Sequence, residues 1–119
     1  MNDKKTKEFI FKELSNFKFK KYTKGFKYLN ESVYLCIKNS DAIDNLSQNV
    51  FPIIANKYNE KSPLNVKWCI EQSITTMYNN TEENRVCKYF GVEGNTKPSL
   101  KLIIYTVVCK YEWSNILEH

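Results

Sequence analysis

Histidine is almost missing from this sequence; the one present is His119, the last of 119 residues. Without imidazole the chain has neither the commonest general base nor any Ser–His or Cys–His nucleophile pair. No glycine-rich phosphate loop and no paired-acid motif is present either, so an enzyme is not expected. The four cysteines, Cys36, Cys69, Cys87 and Cys109, are widely spaced and form no Cys-x-x-Cys pair. Tetrahedral zinc needs clustered thiolates or imidazoles, so no metal and no other cofactor is expected. The thiols read as reduced and mostly buried in a cytoplasmic protein. Glycine and proline are scarce, three of each. Many-stranded β folds need such residues at their turns, so helices joined by short loops are favoured. No apolar run approaches the roughly 20 residues that span a bilayer. The longest, Leu102–Cys109, is interrupted by Thr106. Residues 1–8 are polar, and Phe9–Phe11 is too short for the apolar stretch of a secretion signal.

What is present fits one domain able to bury a core unaided. We expect that domain to span residues 1–116. Leu117-Glu118-His119 reads as an expression-tag remnant and is set aside. The formal net charge is +5, and it is concentrated: residues 1–30 hold nine lysines against three acids. A basic end on a near-neutral body suits an anionic partner, nucleic acid ahead of a membrane surface. A solvated lysine-rich face would look the same.

Periodicity predicts a helical bundle of about six helices. A lysine-rich helix over 3–14 has Phe9, Ile10 and Leu14 as anchors, and a basic connection follows to Lys24. Phe26, Leu29, Val33, Cys36 and Ile37 repeat at helical spacing over 26–39. A third helix is expected from about Asp44 to Tyr58, with Leu46, Val50, Ile53, Ile54 and Tyr58 on one face and a bend or break at Pro52. Asn59-Glu60-Lys61 turns the chain. Ser62-Pro63 then starts a helix over about 63–79, because serine caps free amides and proline at the first position loses no hydrogen bond. Val66, Cys69, Ile70, Ser73, Ile74 and Met77 form its inner stripe. Leu64, Asn65, Trp68, Glu71, Gln72 and Thr75 form its outer face, with Lys67 at the edge. A short helix over 82–90 and a last one from Ser99 to Ile116 complete the set. The β-branched run of the last also suits a strand, but no second strand exists to pair with it.

A helix, a short turn and a second capped amphipathic helix over 44–79 make a helix-turn-helix. Such a pair presents its second helix to a major groove about 12 Å wide, with flanking groups on phosphates. The expected phosphate contacts are Lys57, Lys61 and Ser62. The expected base-reading residues are Asn65, Lys67, Trp68 and Gln72. Trp68, on the outer face, is either a partner anchor or folded against a neighbouring helix.

At these residues the chain resembles the C-terminal DNA-binding effector domain of the stage zero sporulation protein A family of sporulation response regulators. The resemblance runs from about Phe9 to Tyr111. It is carried by Lys24-Gly25-Phe26-Lys27-Tyr28-Leu29, by Val50-Phe51-Pro52-Ile53-Ile54-Ala55-Asn56-Lys57-Tyr58-Asn59, by the Val66–Tyr78 pattern, by Phe90-Gly91 and by Lys97-Pro98. It implies a six-helix domain that binds double-stranded DNA as a dimer on tandem sites and contacts the RNA polymerase sigma subunit. In the family a receiver domain precedes this one; none does here, so the chain is either an excised piece or a lone form. The family reads bases largely through arginines. The matching positions here carry Trp68 and Glu71, followed by Gln72 in place of histidine, and the loop Val92–Thr96 is shorter. The resemblance therefore implies a transcription regulator with altered base reading. The alternative is a protein-interaction module descended from the DNA reader.

Overall fold

The computed structural model describes residues 3–118 and contains, among them, seven α-helices and no strand. His119 lies outside the described residues. Helix α1 (Asp3–Leu14) buries Ile10 and Leu14. Its first turns dock on the last helix: Phe9 meets Tyr111 edge-on at 5.3 Å, and the Thr6 and Tyr111 hydroxyls lie 2.9 Å apart. The basic connection that follows is no loose arm. Phe17 and Phe19 are buried in it, and Phe17 meets Tyr89 edge-on at 4.7 Å and Phe90 at a tilt at 5.0 Å.

Helix α2 (Lys24–Lys38) is the hub of the bundle and packs on α1 and on most of the later helices. Thr23 caps it, its hydroxyl accepting from the Phe26 amide at 3.4 Å and donating to the Lys20 carbonyl at 2.7 Å. Beyond the expected stripe it also buries Tyr28 and Ser32.

The helix expected over 44–58 is three pieces. A 3-10 turn (Ser40–Asn45) leads into α3 (Leu46–Asn49), the chain breaks at Val50, and α4 (Phe51–Lys57) restarts with Pro52 in its first turn. Proline needs no hydrogen-bond partner there, which is why the break falls two residues ahead of it. This division is why seven helices stand where about six were expected. It also rotates the face: Phe51 is buried, whereas Ile53, expected in the core, is half exposed.

Helix α5 (Pro63–Asn80) and α6 (Glu83–Phe90) come next, and Gly91 ends α6 in the left-handed region at φ +68°. Helix α7 (Leu100–Glu118) is helical throughout, its buried face made by Ile103, Ile104, Val107, Val108 and Tyr111. No helix among the described residues is long and apolar enough to cross a membrane. The cysteines correct one expectation: all are free, but only Cys36 is buried, Cys69 and Cys87 are partly covered, and Cys109 is exposed.

Candidate nucleic-acid interface

The turn between α4 and α5 is built by residues with local reasons to be there. The Tyr58 amide closes α4 on the Ile54 carbonyl, and Asn59 takes φ +59°, a left-handed conformation that asparagine tolerates. The Glu60 amide then returns to the Ala55 carbonyl at 2.9 Å. Ser62 caps α5 by accepting from the Asn65 amide at 3.2 Å, and Pro63 occupies the first turn.

Glu60 ties this turn to the rest of the bundle. Its nearly buried carboxylate accepts from the Tyr28 hydroxyl and from the Asn65 side-chain amide at 3.3 Å, with Lys24 Nζ at 3.5 Å. The Tyr28 hydrogen bond, more than any other contact, holds the Glu60 carboxyl below its usual range. Burial, and then the same bond, push the Tyr28 phenol upward.

The inner face of α5 buries Val66, Ile70, Ser73, Ile74 and Met77. Its outer face is open: Trp68 is 59% exposed, Leu64 more so, and Glu71 and Gln72 lie in solvent. Trp68 therefore does not fold down into the core. Asn65 and Lys67 are half-buried at the edges. Lys61 is exposed beside the cap. Lys57 is exposed but engaged: its ammonium donates to Glu31 at 2.8 Å, and Tyr58 donates to the same oxygen at 3.0 Å. The Glu31 bond raises the Lys57 pKa above that of a free lysine.

The fold adds residues that local patterning did not find. Gly25, in the first turn of α2, lies so close to α5 that a Cβ there would stand 2.1 Å from the Cys69 carbonyl oxygen and 2.8 Å from Ser73 Cβ. That approach sets Lys20, Thr23 and Lys24 beside Trp68, Gln72 and Thr76, around a groove of about 290 Å³. Ser73 lies in its lining, and the buried Ser73 hydroxyl has no hydrogen-bond partner within the protein. Further along α5, Lys97 donates to the Thr75 hydroxyl at 3.1 Å. The outer face of α5 is thus bordered by Lys20, Lys24, Lys61, Lys67 and Lys97, with Glu71 as the acid on the face itself. The signal for Lys20 and Lys24 was the +6 charge of the first 30 residues, which named a basic end without saying what it lies against. A larger groove, about 880 Å³, runs between α1 and the start of α2, but no α5 residue lines it. Among the described residues no cluster of His, Cys, Asp or Glu is placed to hold a metal ion.

An all-helical bundle that presents a capped, outward-facing helix behind a tight turn defines the helix-turn-helix class of regulatory domain. Residues 10–110 match the family model described as sporulation initiation factor Spo0A C terminal. The chain belongs to that family, which comprises DNA-binding domains of sporulation control. No individual curated protein sequence matches it.

Proposed function

We propose that this domain is a DNA-binding transcription regulator that lays the outer face of α5 along the major groove but does not read the family's usual site. The observation that carries the reading is that α5 keeps an uncovered outer face bordered by lysines from three separate parts of the chain. Phosphates run at a nearly constant distance from the groove, so cations on both flanks of a helix position it without reading sequence. Lys61 and the Ser62 cap serve one flank. Lys20 serves another, together with Lys24, which is shared with Glu60. Lys57 is a weaker contributor, because it must share or leave Glu31 to meet a phosphate. Trp68, Gln72 and Lys67 face the bases. Asn65 reads a base only when it releases Glu60. With Trp68 and Glu71 at the arginine positions, guanine recognition is lost; each lost bidentate arginine–guanine contact costs about 1–3 kcal/mol of discrimination. Glutamate accepts from cytosine amino groups, so Glu71 shifts preference toward cytosine. Dimeric docking on tandem sites and contact with the polymerase sigma subunit extend this reading from the family.

Selection from random duplex DNA at two salt concentrations tests it. Enrichment of a motif other than the family's supports the proposal. K61A and K20A should each flatten the salt dependence by about one unit, and K57A by less. Absence of retention at low salt overturns it.

One observation favours a second reading. Leu64 and Trp68, one turn apart, form an exposed apolar pair with Glu71 beside them, a pattern that suits a protein partner. E71R separates the two: it strengthens DNA binding if DNA is the ligand, and abolishes partner capture if a protein is.

A further inference from the structure

Helix α7 is apolar on both sides, although only one side is covered. Its buried face packs into the bundle. Its other side carries Tyr105, Trp113 and Ile116 at 56, 63 and 62% exposed, together with exposed Cys109 and partly buried Leu102. Helices apolar all round are ordinarily buried all round. The spacing of this stripe, whose Leu102 end also packs against the core, is symmetric. Relative to Cys109 its members stand at −7, −4, 0, +4 and +7, all within about 40° of one line along the helix. Read backwards, the order of sizes is kept: aliphatic, aromatic, small, aromatic, aliphatic.

A stripe that reads alike in both directions complements an antiparallel copy of itself. We infer that α7 pairs with α7 of a second copy of this chain about a two-fold axis through Cys109. Tyr105 then meets Trp113 of the other copy, Leu102 meets its Ile116, and the two Cys109 residues face each other. This is the isologous contact that two-fold symmetry requires. The small cysteine at the centre lets the helices close while the aromatics on either side fill the splay. Helix axes pack about 8–10 Å apart and Cα atoms lie about 2.3 Å off axis, which leaves about 3.4–5.4 Å between the facing Cys109 Cα atoms. That range overlaps the separation of about 4.4–6.8 Å that a disulfide spans.

The area argues for a weak pair. Tyr105 and Trp113 leave on the order of 300 Å² in water. With the other three residues the stripe supplies about half of the roughly 800 Å² per partner of a standard interface. The pairing is therefore weak and concentration-dependent. It needs no DNA, so it stands or fails separately from the reading of α5.

Sedimentation equilibrium of the full chain without DNA tests it. The mass should rise from 14.1 kDa toward twice that value as concentration increases. Y105K alone and W113E alone should remain monomeric at concentrations where the parent pairs, with unchanged far-ultraviolet circular dichroism. An equimolar mixture of the two should pair again, because one contact becomes Lys against Glu and the other keeps Trp against Tyr. On the unsubstituted protein, diamide should take two electrons from a pair of thiols and give a covalent dimer that C109S cannot form. A parent chain monomeric throughout, variants that pair as the parent does, or a mixture that stays monomeric would each overturn the assignment.

Discussion

Adding one methyl group at Gly25 is the sharpest test of how this interface is assembled. In G25A the new Cβ would stand 2.1 Å from the Cys69 carbonyl oxygen, where ordinary contact begins at 3.4 Å. The obstacle is backbone, not the far end of a flexible side chain, so the helices must part by about 1 Å. Alanine brings a gain of up to about 1 kcal/mol in helix propensity. Overpacking a tight contact costs about 1–3 kcal/mol. The balance is a loss of about 1–2 kcal/mol, which for a domain of this size lowers Tm by about 3–12 °C. Differential scanning calorimetry measures it. The same displacement moves Lys20 and Lys24 away from Trp68, so DNA affinity should fall in the folded variant at a temperature well below its Tm. An unchanged or raised Tm would show that α2 and α5 do not approach as described.

Three further outcomes follow from named contacts. S62A removes the α5 cap and should cost about 1 kcal/mol in urea unfolding; no change would mean that the cap hydrogen bond is not formed. Because the Tyr28 bond holds the Glu60 carboxyl below its ordinary value of 4.5 in the fold, the native state favours the carboxylate. The stability this gives is full above pH 4.5 and is lost as pH falls through the lower native value. Urea midpoints from about pH 6 to about pH 3 should therefore fall less steeply in E60Q than in the parent; parallel curves would refute the role. Burial pushes the Cys36 thiol up to about 11, so only about one part in a thousand is thiolate at pH 8 even if reagent reaches it. In dilute protein a disulfide reagent should modify Cys109 at once and Cys36 only on unfolding, and prompt labelling of Cys36 by peptide mapping would contradict its burial.

Much of the local architecture was legible residue by residue. Helical spacing marked the inner and outer sides of α5, Ser62-Pro63 its start, Pro52 the neighbourhood of a break, and Gly91 the end of α6. Each of these is set within one or two turns of chain, by capping, by the missing proline amide, or by the 3.6-residue period. The outward side of Trp68 was of this kind too. The β-branched segment of α7 was decided by the lack of a strand to pair with it.

Tertiary packing decided what no window of neighbours contains. It buried Phe17 and Phe19 inside a stretch that reads as basic linker. It set Glu31 on Lys57, 26 positions away, and so occupied the ammonium that would meet a phosphate. It joined Tyr28 to Glu60, 32 positions away, fixing the turn ahead of α5. Through the missing Cβ of Gly25 it brought the basic end of the chain against the outer helix. Periodicity reports which side of an element is apolar; it carries no information on which distant residue will lie opposite. That choice is made when whole helices dock, where steric fit between backbones selects one arrangement among many with the same pattern.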